Sequence, residues 1–439
     1  DVLERMLYNS LISGVSLDGG SFLYPNPLES IGQHQLQPWF GCACCPSNMA
    51  RFMPSVPGYV YAVHNSEVYV NLFMSNNSTL KVAGKNVNLQ QNTAYPWNGD
   101  IKINVNPSGK QKFQLKIRIP GWVQGQVVPS DLYTYSDRKQ LSYSIKVNGE
   151  VQKSNPVNGY FSINRQWKKG DVVEVHFDME PRTVKAHSAV EADRGKLAVE
   201  RGPIVYCAEW PDNDFSVLSV IMNRKSEFKV VEKPALLKGI TQLRTDAQTL
   251  SYNKAGKIEA RDVTLTLIPY YAWAHRGSGE MAVWFPDELR ATRPVMPPSI
   301  ASESKISASV HSNSLSSIND RLVPKDENDR SVPYYHWWPK EGTTEWVSYE
   351  FPEMKSISSC SVFWYDDGPW GGCRVPQSWR ILYRGSDGKW LPVENLTEYR
   401  AKKGVSNYVS FKAITTDALK MEIDLPEKNS TGIFEWEVE

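Results

Sequence analysis

The segment Trp39-Phe-Gly-Cys-Ala-Cys-Cys-Pro-Ser-Asn-Met-Ala-Arg51 places Cys42, Cys44 and Cys45, three of the chain's six cysteines, within four residues and directly before a proline. Proline suits the first position of a helix, where its missing N–H would have no partner. With a helix opening at Pro46, Cys44 and Cys45 stand at the positive end of its dipole, which favours thiolate over thiol. A thiolate either binds metal or attacks an electrophilic carbon. A closed structural zinc site needs four ligands, and the nearest further candidate is His34, eight residues before Cys42. A disulfide between the adjacent cysteines would be strained. On residue types alone, a structural metal site and a catalytic nucleophile both stay open.

The elements that position this segment are of two kinds. Val2, Leu3, Met6, Leu7, Leu11 and Ile12 form a helical stripe over Asp1 to Ser13, and a second short helix is predicted from Pro46 to about Pro54. The rest of the chain reads as nearly all β. Stretches at 58–63, 68–73, 101–105 and 113–119 are rich in β-branched and aromatic residues and are punctuated by Gly, Pro and Asn. Residues 160–163 and 172–177 read as a hairpin turning at Lys168-Lys-Gly-Asp171. Short strands at this spacing predict sandwiches. A helical stripe cannot bury itself, so residues 1–56 read as the end of a helical domain that begins outside the chain. The remainder divides into sandwich domains at 57–187 and 188–300 and a separate module at 301–439. A Pro- and Ser-rich stretch over 290–317 serves as linker.

Composition narrows the function classes. A net charge of +1 over 439 residues, with no basic stripe, argues against nucleic acid as partner. No apolar run reaches the roughly 18 residues of a membrane span. The chain opens on Asp1, so any signal peptide belongs outside it, and the sequence sets neither compartment nor oligomeric state. Fifteen Trp and 21 Tyr suit both sugar faces and large β-sandwich cores.

Four motifs occur in order: Asp18-Gly-Gly-Ser-Phe-Leu-Tyr-Pro-Asn-Pro-Leu-Glu29; Trp39 to Asn48; Arg194-Gly-Lys with Arg201-Gly-Pro-Ile-Val-Tyr206; and Leu267-Ile-Pro-Tyr-Tyr-Ala-Trp273. Together they resemble glycoside hydrolase family 127, typified by bacterial β-L-arabinofuranosidases, over roughly residues 1–290. The resemblance implies a mainly β chain: the C-terminal end of an (α/α)6 barrel, then β-sandwich domains. It also implies a retaining, exo-acting enzyme on plant-derived glycans, active in the full-length protein and inactive in this chain alone. By the same resemblance Cys44 is the nucleophile, Cys44 and Cys45 bind Zn2+, and Tyr24 lines the sugar site. The family's remaining zinc ligands, a Glu and a Cys from an upstream Glu-x-Cys motif, have no counterpart in this sequence. A periplasmic or secreted bacterial setting is compatible with such a role. The competing reading is a non-catalytic glycan-binding or structural β-sandwich protein.

Several further features have bland readings. Tyr270, Tyr271 and Trp273 read as sandwich core, Cys207 as a buried small hydrophobe, and the Asp366-Asp367 pair beside Gly368-Pro369 as a turn. In the last module, Tyr334-Tyr-His-Trp-Trp338, Glu345-Trp-Val-Ser-Tyr349 and Gly432-Ile-Phe-Glu-Trp436 resemble the discoidin-like jelly roll of many carbohydrate-binding modules. That likeness makes His336, Trp337 and Trp338 candidate glycan contacts. Cys360 and Cys373 could pair in an oxidising compartment.

Overall fold

The computed structural model describes residues 1–439 except Lys254 and Asn313. Two compact units divide between Val295 and Met296. Among the described residues the α-helices are Val2–Met6 and Cys44–Phe52, and strands make up most of the rest.

The first helix continues as a π turn, Leu7–Leu11, and a 3-10 turn, Ile12–Gly14. Its apolar stripe faces inward only in part: Leu7 is buried with Leu3 and Leu11 packed beside it, but Val2 and Met6 are more than half exposed, whereas Glu4, Asn9 and Ser13 are buried. The neighbouring sandwiches explain the buried polar residues, because they offer them polar partners. Glu4 pairs with Arg118 at 2.5 Å and accepts from the Tyr95 hydroxyl at 2.7 Å. Asn9 donates to the Pro203 carbonyl at 2.8 Å and accepts from the Val205 N–H at 2.8 Å, and Arg5 pairs with Glu200 at 2.6 Å. Buried charges fixed this way specify one docking geometry, since an alternative packing would strand them.

Next comes a sandwich of two sheets. One has six strands, in the order Glu150–Val151, Tyr143–Val147, Asp171–Phe177, Asp100–Pro107, Lys85–Thr93 and Asn76–Val82. The other has four, in the order Tyr160–Trp167, Gln111–Arg118, Glu67–Val70 and Tyr61–His64. Alternation drives the packing: Phe113, Leu115 and Ile117 are buried while Lys112 points out. The expected hairpin at 160–177 does not form, because its two arms lie in different sheets. Tyr160–Trp167 pairs with Gln111–Arg118, and Asp171–Phe177 pairs with Asp100–Pro107 and Tyr143–Val147. The Lys168–Asp171 turn carries the chain between layers. Asp171, 1% exposed, holds that turn by accepting the Lys168 N–H at 2.9 Å and the Asn148 amide at 3.0 Å. Sequence alternation alone cannot separate an in-sheet hairpin from a crossing between layers.

The second sandwich is built on a larger antiparallel sheet. Its long strands Ile240–Tyr252 and Ile258–Pro269 pair in register from Leu243 opposite Leu267 to Tyr252 opposite Ile258. Ile204–Glu209, Lys196–Arg201 and Pro181–Ala186 follow across the sheet. A short strand from the N-terminal region, Glu29–Ile31, joins it by pairing with Glu280–Ala282. That pairing anchors the chain between the Asp18–Glu29 motif and the cysteines.

The unit Met296–Glu439 is a seven-stranded antiparallel assembly around Thr344–Tyr365, which pairs with Ser406–Asp424, Gly432–Val438 and Lys305–Ala308. Register shifts between Glu350 and Lys355 and between Ile357 and Ser359 break that long strand. Its core is aromatic, with Tyr335, Trp337, Tyr349, Trp364 and Trp436 fully buried. Cys360 and Cys373 are free, buried thiols in separate apolar clusters, so the pairing considered above does not form.

Candidate active site

The cysteine segment meets the solvent at the start of the helix Cys44–Phe52, with Ala43 as its N-cap. The helix begins two residues before the expected proline, so Cys44 and Cys45 occupy its first two positions and Pro46 the third. Proline is harmless there too, because first-turn N–H groups have no intrahelical acceptor. The Ser47 hydroxyl donates to the Ala43 and Cys44 carbonyls at 3.1 and 2.9 Å, tightening the first turn. Cys42, Cys44 and Cys45 are all exposed, unlike Cys207, which is buried as expected.

Tyr24 arrives from the preceding loop. Its ring stacks on Phe40 with centroids 3.9 Å apart, and its hydroxyl lies 4.0 Å from Cys44 Sγ. Cys45 Sγ is 3.9 Å from Cys44 Sγ. The structure thus brings together the three residues singled out for chemistry. Their ionisation differs accordingly. The Cys44 thiol is held below the usual cysteine range, first by donation from Cys45 and second by donation from Tyr24. Cys45 is pushed up, by desolvation first and then by its bond to Cys44. Desolvation and the Cys44 bond likewise raise Tyr24. Of the two adjacent thiols, Cys44 is the one whose thiolate form these contacts favour.

That asymmetry has a direct readout. At pH 7, iodoacetamide is expected to alkylate Cys44 ahead of Cys45, with the modified residue located by peptide mass spectrometry. Tyr24→Phe removes one stabilising hydrogen bond, so it should slow Cys44 modification by about two- to tenfold. Equal rates at the two cysteines would show that the donors do not bias them.

The loop that delivers Tyr24 is pinned from the second sandwich. The Leu17 N–H donates to His275 Nε2 at 3.0 Å, while His275 Nδ1 faces the Trp273 carbonyl at 2.8 Å. Lys238 Nζ donates to the Leu17 carbonyl at 2.6 Å, and the Tyr270 hydroxyl to the Pro27 carbonyl at 2.9 Å. Phe22 and Gln37 exchange two backbone bonds of 2.8 Å across the loop base. Sequence reasoning missed His275 and Lys238 as supports. The only signal was that His275 closely follows the aromatic cluster, and Lys238 carried none; the cluster itself splits: Tyr270 and Trp273 are core, as expected, but Tyr271 lines a groove beside the helix.

Two cavities flank the helix. A groove of about 540 Å³ is walled by apolar side chains that include Val15, Phe22, Trp39, Met49 and Tyr271. A second space of about 300 Å³ is lined by Leu11, Tyr24, Asn26, Cys45, Asn48 and Phe52, mixing an aromatic face with amide groups. Such a lining suits a small polyol with one apolar face.

Zinc can be weighed on the sulfur geometry. Two thiolates on one tetrahedral zinc at about 2.3 Å stand roughly 3.8 Å apart, and the observed separation is 3.9 Å. Cys44 and Cys45 therefore fit as two ligands of one ion. Among the described residues, no group of three or more His, Cys, Asp or Glu side chains gathers for a metal.

In the second unit, the candidate glycan contacts separate. Trp337 is fully buried and donates from Nε1 to Ser309 Oγ at 2.9 Å, so it is a core residue and offers no face to a sugar. His336 is partly buried, and its Nδ1 has no hydrogen-bond partner among the described residues. Trp338 is 50% exposed. Asp366 and Asp367 hold a turn, as expected, through bonds to Gly368, Val375 and Cys373 backbone N–H groups.

Comparison with known proteins identifies the family. Residues 1–58 match the β-L-arabinofuranosidase GH127 catalytic domain, residues 67–179 the GH127 middle domain, and residues 181–286 the glycoside hydrolase family 127 C-terminal domain. A non-reducing end β-L-arabinofuranosidase of Bifidobacterium longum is 31% identical over 317 residues, covering 65% of this chain and 44% of that protein. A solved GH127 β-arabinofuranosidase is 62% identical with a TM-score of 0.66, covering 67% of this chain and 46% of its own. The GH127 β-L-arabinofuranosidase from Geobacillus stearothermophilus T6 is 33% identical with a TM-score of 0.59, covering 65% and 46%. The chain thus spans less than half the length of each of these relatives. With three successive domain matches running from residue 1 to residue 286, the chain belongs to glycoside hydrolase family 127.

Proposed function

We propose that this chain supplies the nucleophile of a retaining, exo-acting β-L-arabinofuranosidase on plant-derived glycans. The observation that carries the reading is the Cys44 sulfur, exposed at a helix start and flanked by the Tyr24 hydroxyl and the Cys45 thiol. The names of the relatives supply the sugar.

Cys44 attacks the anomeric carbon, forming a carbon–sulfur bond as the glycosidic carbon–oxygen bond breaks. The departing oxygen takes a proton from a carboxylic acid on the opposite face of the ring. Water, deprotonated by that same group, then displaces the sulfur with a second inversion, which returns the starting configuration and the Cys44 thiolate. The Tyr24 hydroxyl hydrogen-bonds the Cys44 thiolate before the attack and again once the thiolate is released. Zinc held by Cys44 and Cys45 would lower the thiol pKa further and fix the sulfur in place.

Two sulfurs are half of a tetrahedral shell, so this chain by itself is expected to hold zinc weakly and to turn over no sugar. Elemental analysis after dialysis against chelator tests the first part, and hydrolysis of an aryl β-L-arabinofuranoside tests the second. A polypeptide of the relatives' length that contains this chain should hydrolyse the same substrate with retention. Stoichiometric, chelator-resistant zinc in the chain alone would mean that Cys42 or His34 completes the shell. Inversion at the anomeric carbon in the longer polypeptide would eliminate the covalent route.

A further inference from the structure

The unit Met296–Glu439 carries an indole in open solvent: Trp370 is 94% exposed. It sits in the loop Asp366-Asp-Gly-Pro-Trp-Gly-Gly-Cys-Arg374, and that loop is tightly braced. Asp366, only 4% exposed, accepts the Gly368 N–H at 2.9 Å and the Val375 N–H at 3.2 Å. Asp367 accepts the Cys373 N–H at 2.8 Å and the Tyr365 hydroxyl at 3.1 Å. Arg374 Nη1 closes the loop on the Gly371 and Cys373 carbonyls at 3.0 and 2.6 Å. The two glycines are there for space: a Cβ on Gly371 would collide with the Asp367 carboxyl, and one on Gly372 with the Trp338 ring. Trp338 therefore lies flush against the loop that bears Trp370, and it too is half exposed.

We propose that Trp370 and Trp338 form a platform for a neutral sugar. Exposed indoles on a braced loop present flat apolar faces of the size of a sugar's C–H face, and an indole has only two torsions to fix on binding. Donors for hydroxyls are at hand. Arg330 lies over the stacked Tyr334 and Tyr365 rings, which are 3.8 Å apart, and 3.8 Å from Asp367; Arg374 is 3.6 Å from the same carboxylate. These two guanidinium groups are balanced by Asp366 and Asp367, so the surface carries no net charge to select an anionic ligand. The platform differs from the sequence expectation, in which buried Trp337 took the place that belongs to Trp370. It does not rest on the thiolate reading and stands or falls separately.

The test is affinity electrophoresis of the whole chain through gels containing soluble arabinan, arabinogalactan or galactan. Migration of the wild type is expected to slow in at least one of them. Trp370→Ala should weaken that binding at least tenfold, Trp338→Ala should weaken it less, and Trp210→Ala, a partly exposed tryptophan of the other unit, should leave it unchanged. Because Trp370 is solvated, its loss should not move the melting temperature, which separates binding from folding. No retardation in any gel, or equal retardation of Trp370→Ala and wild type, overturns the proposal. Concentration-dependent self-association that disappears in Trp370→Ala would assign the indole to a protein contact and overturn it as well.

Discussion

Cys44→Ser is expected to reduce hydrolysis of an aryl β-L-arabinofuranoside by at least about a thousandfold in a polypeptide of the relatives' length, as loss of a covalent nucleophile does elsewhere. A serine hydroxyl is almost wholly protonated near neutral pH and is a poorer zinc ligand than thiolate, so both of the sulfur's contributions vanish together. Cys45→Ser should act differently. Cys45 Sγ lies 3.9 Å from Cys44 Sγ and, in the proposed site, shares its metal, so its loss should lower zinc content together with activity. The two variants are told apart by metal analysis and by labelling with a cysteine-reactive sugar mimic, which should modify Cys44 in the wild type. Full activity in Cys44→Ser would eliminate the thiolate route. Preferential labelling of Cys45 would mean that the two sulfurs exchange roles.

What the sequence made legible follows from the range of the interactions involved. The Trp39–Asn48 segment is local chemistry, so the cysteines and their helix could be placed to within two residues from proline and dipole arguments alone. The mainly β architecture was legible too, because alternation such as that of Phe113, Leu115 and Ile117 is written along a single strand. Three features were not, and each depends on a partner distant in the chain. The first helix turns polar residues inward beside Leu7 because Arg118 and Glu200 wait more than a hundred residues away for Glu4 and Arg5. The strands flanking Lys168–Asp171 look like a hairpin until Gln111–Arg118 claims one arm and Asp100–Pro107 the other. Trp337 and Trp338 are adjacent and identical in type, so only the strand pairing of Tyr335–His336 with Gly432–Val438 decides which indole enters the core. The supports of the Tyr24 loop, His275 and Lys238, belong to the same class: they act through the Leu17 backbone, which leaves no trace in residue type.

Glu435→Gln is expected to flatten the pH dependence of stability in the unit Met296–Glu439, by an amount on the order of a few kcal/mol across the window concerned. Glu435 is 7% exposed, and among the described residues neither of its carboxylate oxygens has a hydrogen-bond partner. Burial comes first in pushing its carboxyl up to about 10, with the neighbouring Asp320 and Glu437 adding to the effect. Burial likewise raises Asp320, to about 7. Arg321 is the cation at hand, but it pairs with Glu437 at 3.1 Å. The folded chain therefore keeps a proton on Glu435 that the unfolded chain, with an ordinary glutamate near pH 4.5, has already released. Wherever the folded state binds more protons, stability falls as pH rises, by about 1.4 kcal/mol per pH unit per proton. The contribution is thus complete below pH 4.5 and is lost progressively towards pH 10. Glutamine keeps the shape and cannot ionise, and its amide can donate to Asp320. Thermal unfolding of the whole chain between pH 5 and pH 9 should show a falling transition in the wild type and a flatter one in the variant, with the variant the more stable above neutrality. Parallel pH profiles for the two proteins would show that Glu435 is ionised in the fold and that its charge is compensated by something other than a proton.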